Sequence, residues 1–112
     1  MSFTPEQQEE IQKLQQLQQN FEQIRSHRIQ LERRENELKN TLSKVNEMSD
    51  DTEIFKNIGQ LMIKSKLGET KKEMLSEMED LESKIISIKS REKSLEERFN
   101  QGQADLRAKL GQ

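Results

Sequence analysis

Apolar residues recur at steps of three and four between residues 14 and 45. This spacing matches the a and d positions of a heptad and is typical of a helix that packs along one narrow stripe. The a positions are Leu14, Phe21, Arg28, Glu35 and Leu42, and the d positions are Leu17, Ile24, Leu31, Leu38 and Val45. Because Thr4-Pro5-Glu6-Gln7 has the form of a capping box with proline at the first helical position, we predict a helix over 5–48.

A second apolar stripe begins after residue 70 and has the same alternation of three and four. Its members are Met74, Met78, Leu81, Ile85, Ile88, Leu95, Phe99 and Leu106. Gly68 ends the intervening segment, and Thr70-Lys71-Lys72-Glu73 repeats the capping-box pattern, which predicts a helix over 71–110. Two long helices of nearly matched length predict a mainly α fold, a single domain built as an antiparallel two-helix coiled coil.

The register of this coiled coil has two candidate solutions. If facing residues have numbers that sum to about 120, Arg28 lies beside Glu92, which favours an ion pair. A sum of 123 gives the more regular packing of a against d positions, and it places Glu92 opposite Leu31. The pattern alone leaves both registers open.

The segment 49–70 between the helices differs from its flanks. Met48-Ser49-Asp50-Asp51-Thr52 contains the side chains that hydrogen-bond their own backbone in turns. Residues 53–65 are richer in β-branched and aromatic side chains and contain Gly59, which predicts a β-hairpin turning around Asn57 to Gln60. A helical reading remains open, because Ile54, Ile58 and Leu61 also stand at helical spacing.

An isolated two-stranded hairpin is marginally stable in water, and its strand edges are unpaired. The apolar side chains of this hairpin are Ile54, Phe55, Ile58, Leu61, Met62 and Ile63. Pairing with hairpins of other chains would satisfy the backbone and cover these side chains. We therefore predict that the insert is an oligomerisation surface.

At the other end of the coiled coil, near both termini, the seam is less regular. Gly102 occupies a d position, and glutamine and asparagine surround the apolar residues there. The apolar residues in question are Ile11, Leu14, Leu17, Phe21, Phe99, Leu106 and Leu110. Imperfect pairing would leave this surface partly open, which indicates either a contact site or simple fraying of the helix ends.

Composition narrows the class of protein. Of 112 residues, 36% are charged and only 29% are hydrophobic, so a thick globular core is excluded. The chain has no cysteine, which excludes disulfides and thiolate metal sites and fits a cytoplasmic location. We expect no membrane segment and no signal sequence, because no apolar run is long enough. The net charge of −2, with both signs interspersed, argues against a nucleic-acid partner.

No constellation for catalysis is evident. The glycines do not form a phosphate-binding loop, and His27 is the only histidine. A metal or catalytic site at His27 would need carboxylates that the sequence does not single out. We therefore expect no enzymatic activity, no metal and no cofactor.

Residues 52–64, with the sequence TEIFKNIGQLMIK, resemble the hairpin of beta-class prefoldin subunits, and the helix, insert and helix around them extend this resemblance to nearly the whole chain. The resemblance implies a hexamer of two alpha-class and four beta-class subunits, whose hairpins form a double β-barrel platform carrying six coiled coils. It also implies an ATP-independent chaperone that captures unfolded polypeptides at the coiled-coil tips and passes them to a group II chaperonin.

Carried onto this chain, the resemblance places client contacts at the seven apolar residues near the termini and subunit contacts on the six hairpin residues. It further suggests Arg107 and Lys109 for contact with the chaperonin. The alternative hypothesis is a structural coiled-coil scaffold, in which the insert only bridges the helices and the termini are closed.

Overall fold

The computed structural model describes residues 2–111. Its elements are, in order, helix α1 over Pro5–Val45, strand β1 over Glu53–Ile58, strand β2 over Leu61–Lys66 and helix α2 over Leu67–Leu110. The helices contain 41 and 44 residues. The predicted fold class, an antiparallel two-helix coiled coil with a β-hairpin between its helices, is confirmed.

Helix α1 begins with the predicted capping box. The backbone N–H of Gln7 donates to Thr4 Oγ1 at 3.1 Å, and the backbone N–H of Thr4 donates to Gln7 Oε1 at 3.0 Å. These reciprocal bonds satisfy donors that the first helical turn leaves without a partner. The helix ends at Val45, three residues before the predicted end, and Met48 N–H closes a turn onto the Val45 carbonyl at 3.1 Å.

Helix α2 begins at Leu67, four residues before the predicted start at Lys71, so that prediction is wrong. The loop before the hairpin caps this helix with its backbone: Leu67 N–H donates to the Thr52 carbonyl and Gly68 N–H to the Asp50 carbonyl, both at 2.9 Å. Thr70 lies inside the first turn, and its buried Oγ1 has no hydrogen-bond partner. Capping by backbone groups that are distant in sequence leaves no side-chain signature, which explains the error.

The heptad stripes form the seam of the coiled coil. Every a and d position from Leu14 to Val45 and from Met74 to Leu106 is buried or half-buried, including charged Arg28, Glu35 and Glu92. Sequence numbers rise along one helix as they fall along the other, since Glu10 pairs with Lys109 and Arg28 with Glu92. The helices are therefore antiparallel.

The structure forms the ion pair of one candidate register and the type of packing of the other, but with a different alignment of the helices. Arg28 pairs with Glu92, as a sum of 120 predicts. Leu14 packs directly against Gly102, because a Cβ added to Gly102 would lie 2.5 Å from Leu14 Cδ2. The residue numbers of Leu14 and Gly102 sum to 116, so layers of a against d positions form, but at an alignment seven residues away from the sum of 123. The long side chains of Arg28 and Glu92 reach across between such layers.

Two compact units divide the chain. One combines the chain up to Gln30 with the chain from Ile85 onward, and its most buried side chains are Ile85 and Ile88. The other is Leu31–Lys84, which contains the hairpin and buries Leu38, Leu67 and Leu81.

The hairpin has a tight two-residue turn. Strands β1 and β2 pair antiparallel from Glu53 with Lys66 to Ile58 with Leu61, which leaves Gly59 and Gln60 as the turn. Gly59 has φ of +58°, whereas Gln60 has no positive φ. Positive φ at the first central position defines a type II′ turn, which suits the twist of the strands and strongly favours glycine.

Candidate assembly and binding surfaces

The predicted oligomerisation residues lie together on the hairpin and are largely open to solvent. Five of the six are exposed: Phe55 (60%), Ile58 (53%), Leu61 (65%), Met62 (69%) and Ile63 (42%). Ile54 is half-buried. Because large apolar side chains that share one small surface rarely remain open to water, this exposure makes the hairpin a candidate contact surface.

The strand register divides these residues between two faces, since neighbouring side chains of a strand point to opposite sides. One face, the isoleucine face, carries Ile54, Lys56, Ile58, Leu61, Ile63 and Ser65. The opposite, phenylalanine face carries Glu53, Phe55, Asn57, Met62, Lys64 and Lys66. The isoleucine face is covered in part, because Ile54, Lys56 and Ser65 are half-buried, while every residue of the phenylalanine face is exposed.

Both strand edges also carry unused backbone groups. In a hairpin with a two-residue turn, the pair next to the turn exchanges hydrogen bonds, and bonded and non-bonded pairs then alternate. The bond from Leu67 N–H to the Thr52 carbonyl continues this alternation beyond the strands. The backbone groups of Phe55 and Asn57 on β1, and of Met62 and Lys64 on β2, therefore point outward. Within residues 2–111 the sheet contains only these two strands.

Ion pairs fix the hairpin to the start of α2. Lys56 Nζ lies 3.0 Å from a carboxylate oxygen of Glu73. On the loop side, Lys71 donates to the Met48 carbonyl at 3.2 Å and to Asp50 at 3.3 Å. The hairpin and the loop before it are thus each bonded to the first turns of α2.

The residues predicted to contact clients are mostly part of the seam. Ile11, Leu14, Leu17, Phe21, Phe99 and Leu106 are half-buried, and only Leu110 is exposed, at 45%. Phe3, which precedes α1, adds a further exposed apolar side chain, at 43%. The seam is therefore narrow but incompletely covered, rather than an open apolar patch.

A recess of about 220 Å³ opens in this part of the seam. Phe21 and Phe99 supply its apolar surface, and Gln18, Glu22, Glu96 and Asn100 line its edges. Both phenylalanines were predicted separately as client contacts, and the antiparallel pairing of the helices brings them together. A second recess, of about 230 Å³, lies beside Leu14, Leu17 and Gly102.

The two cations suggested for chaperonin contact differ in their surroundings. Lys109 is bonded to Glu10, and this hydrogen bond, with the charge of Glu10, raises the pKa of Lys109. Arg107 is exposed. Elsewhere, Arg34 Nη2 lies 2.9 Å from Glu77, and hydrogen bonding to Glu77 raises the pKa of Arg34.

Two exposed apolar residues on α2, Leu75 (52%) and Ile86 (65%), were not predicted from the sequence. Both lie outside the a and d positions. An apolar residue outside the heptad stripe would have been enough to predict their exposure from the sequence. Among the described residues, no helix is long and apolar enough to cross a membrane, and no group of three His, Cys, Asp or Glu side chains could hold a metal ion.

These features define a class of protein: an antiparallel coiled coil that presents an open-edged β-hairpin between its helices. Residues 8–112 match the prefoldin subunit family. The chain is 30% identical over 108 residues to prefoldin subunit beta of Methanothrix thermoacetophila, covering 96% of this chain and 90% of that protein. It is 31% identical over 107 residues to prefoldin subunit beta of Methanosarcina acetivorans, covering 96% and 92%.

The fold agrees with these sequence matches. The crystal structure of the prefoldin beta subunit from Thermococcus strain KS-1 superposes with a TM-score of 0.85 at 22% identity, covering 97% of this chain and 96% of that one. The chain therefore belongs to the prefoldin subunit family.

Proposed function

We propose that the chain is a beta-class subunit of a hetero-oligomeric prefoldin that holds unfolded polypeptides without ATP. The observation that carries this proposal is the hairpin, which exposes five large apolar side chains between two unpaired strand edges. Such a surface is costly for an isolated chain and becomes favourable when neighbouring subunits cover it. The membership in the prefoldin subunit family supports the same assignment.

Assembly would proceed by strand addition. The outward backbone groups of β1 and β2 accept strands of alpha-class and further beta-class subunits, and the apolar residues of both hairpin faces become buried between the joined sheets. Closing several hairpins into barrels removes the open edges altogether. Each subunit then contributes one coiled coil to the complex.

The ends of the coiled coils would bind clients. This part of the seam offers two narrow recesses rather than a deep pocket, one at Phe21 and Phe99 and one at Leu14 and Leu17. Ile11 and Leu106 are half-buried and Leu110 is exposed in the same part of the chain. Each contact is weak, but several coiled coils acting on one polypeptide raise the overall affinity by effective concentration. Clients held in this way can be released to a group II chaperonin in the cytoplasm, with Arg107 among the groups available for that contact.

One observation favours the alternative function of a coiled-coil scaffold without clients. Six of the seven predicted client-binding residues are half-buried in the seam of this chain. A coiled-coil scaffold requires only that such residues pack in the seam. The two hypotheses differ in the effect of the assembled complex on aggregating proteins.

Proline substitutions test the mode of assembly. Asn57→Pro and Lys64→Pro each remove an outward N–H from one strand edge and leave the hydrogen bonds inside the hairpin intact. We expect each to reduce assembly with an alpha-class prefoldin subunit, measured by native mass spectrometry, whereas Asn57→Ala and Lys64→Ala assemble normally. If both proline variants assemble as well as their alanine controls, strand addition is not the mode of assembly.

Light scattering tests the holding activity. The assembled complex should suppress the aggregation of a chemically denatured protein on dilution, with no nucleotide present. A complex that assembles but leaves the scattering unchanged would support the scaffold and contradict the chaperone.

A further inference from the structure

The polar side chains that line the recess between Phe21 and Phe99 differ between its two ends. Glu22 follows Phe21 by one residue on α1, and Glu96 precedes Phe99 by three residues on α2. Because the helices are antiparallel, both carboxylates are displaced from the phenylalanines in the same direction along the seam, toward the Arg28–Glu92 pair. Gln18 and Asn100 are displaced in the opposite direction. The recess thus has a carboxylate end and an amide end.

The carboxylates at one end of the recess have no cationic partner among the residues that the structure describes. In the described part of the chain, neither Glu22 nor Glu96 takes part in an ion pair. Arg25 and Lys93, each three residues away on the same helix, do not approach either carboxylate closely enough to pair. Two like charges from facing helices favour an added cation between them.

The size of the recess suits one apolar side chain. Its volume of about 220 Å³ exceeds the roughly 150 Å³ of an engineered apolar cavity that accepts benzene. Phe21 and Phe99 are half-buried and present aromatic surface to whatever enters. An aromatic or branched aliphatic side chain would displace water from both rings, and the amides of Gln18 and Asn100 can donate to and accept from a peptide backbone.

We propose that this recess binds a segment of extended polypeptide in which an apolar side chain has a lysine or arginine close to it in sequence. The apolar side chain lies between Phe21 and Phe99, and the cation lies at the carboxylate end, between Glu22 and Glu96. This inference rests on the proposed chaperone function and adds a chemical preference to it: unfolded segments that mix apolar and basic residues bind better than equally apolar segments that carry acids.

The test uses the full chain assembled with an alpha-class prefoldin subunit and two fluorescent peptides. Both are unstructured and contain a central phenylalanine and leucine; lysines flank this pair in one, and glutamates replace the lysines in the other. Two solvent-exposed charge pairs of modest strength predict that the lysine peptide binds about three- to tenfold more tightly by fluorescence anisotropy. This preference should shrink as the salt concentration rises.

A matched pair of variants assigns the preference to the recess. Glu22→Gln/Glu96→Gln should reduce it to less than about twofold, since both carboxylates become neutral. Glu79→Gln/Glu82→Gln makes the same change in net charge at exposed positions away from the recess, and it should leave the preference intact. Circular dichroism confirms that both variants retain their helices.

The outcomes separate this inference from the proposed function. If the complex suppresses aggregation but binds both peptides equally, or if the two variants lose the preference to the same extent, the inference is wrong and the chaperone function stands. If the complex neither suppresses aggregation nor binds either peptide, the proposed function fails as well.

Discussion

Arg28 and Glu92 meet across the seam, with Arg28 Nε 2.6 Å from one carboxylate oxygen and 2.8 Å from the other. Their side chains are only 21% and 15% exposed, although both occupy a positions that a coiled coil usually gives to apolar residues. A partly buried ion pair adds little net stability, but it penalises any register that separates the two charges. This pair therefore selects the register of the helices.

Arg28→Leu should destabilise the chain because it leaves Glu92 half-buried without its partner. Breaking a fully buried pair costs about 3–5 kcal/mol, and partial exposure lowers our expectation to about 1–3 kcal/mol. The double variant Arg28→Leu/Glu92→Leu should recover most of this loss. Urea denaturation followed by circular dichroism measures both.

The control for this prediction is Lys13→Ala, which breaks an exposed pair within α1 whose side chains are 72% and 68% exposed. Such pairs contribute about 0.5 kcal/mol or less. If Arg28→Leu proves no more harmful than Lys13→Ala, the pair across the seam does not hold the register.

Two glycines of α2 should differ in how much stability they lose on substitution by alanine. At Gly68 an added Cβ would lie 2.8 Å from Asp50 Cβ and 3.3 Å from the Asp50 carbonyl oxygen, which caps the helix. At Gly102 the added Cβ meets only the end of the Leu14 side chain, which can rotate away. We expect Gly68→Ala to cost about 1–3 kcal/mol by overpacking.

Gly102→Ala should change stability by less than about 1 kcal/mol, since the helical propensity gained offsets the repacking of Leu14. Thermal denaturation of the two variants, compared with the parent chain, measures the contrast. If both variants lose the same amount of stability, the capping loop at Asp50 moves aside as easily as the Leu14 side chain does.

Periodicity predicted the fold well because it reflects local rules. Every residue that the heptads placed in the seam is buried or half-buried, although buried Leu67 lies outside the heptads. The composition around Gly59 located the hairpin, and the predicted turn began one residue before the observed turn between Ile58 and Leu61. The start of α2 escaped prediction because the Asp50 and Thr52 carbonyls that cap it belong to a loop fifteen or more residues earlier in the sequence. Hydrogen bonds between distant backbone groups do not depend on particular residue types, so the sequence does not indicate where they form.

Gly59 should be hard to replace. Its φ of +58° costs an L-residue roughly 1–2 kcal/mol, while no atom within 4 Å would obstruct a side chain. Gly59→Ala should therefore lower the melting temperature of the assembled complex through backbone strain alone. Gln60→Ala, next to it in the same turn, serves as the control and should melt like the parent; a Gly59→Ala complex that does the same would contradict the type II′ assignment.

The candidate sites were only partly predictable. The hairpin residues could be named from the sequence because they adjoin one another along the chain. The Phe21–Phe99 recess could not, since its two halves lie on different helices and the register was undecided until Arg28 and Glu92 were seen to pair. The carboxylate end of the recess depends on that register too, because it requires Glu22 and Glu96 to lie on the same side of the phenylalanines.

Leu61 and Ile86 provide a matched test of which exposed apolar surface drives assembly, since both side chains are 65% exposed. Burial of a side chain of this size contributes about 1.5–3 kcal/mol, and a buried lysine in its place adds a desolvation cost. Leu61→Lys should therefore abolish assembly with an alpha-class subunit in sedimentation velocity, whereas Ile86→Lys should assemble normally. The two residues have the same exposure but different surroundings. Leu61 lies beside open strand edges that a neighbouring subunit can complete, whereas Ile86 projects from a helix whose backbone hydrogen bonds are already made. If both lysine variants lose assembly to the same extent, side-chain burial outweighs strand pairing in assembly.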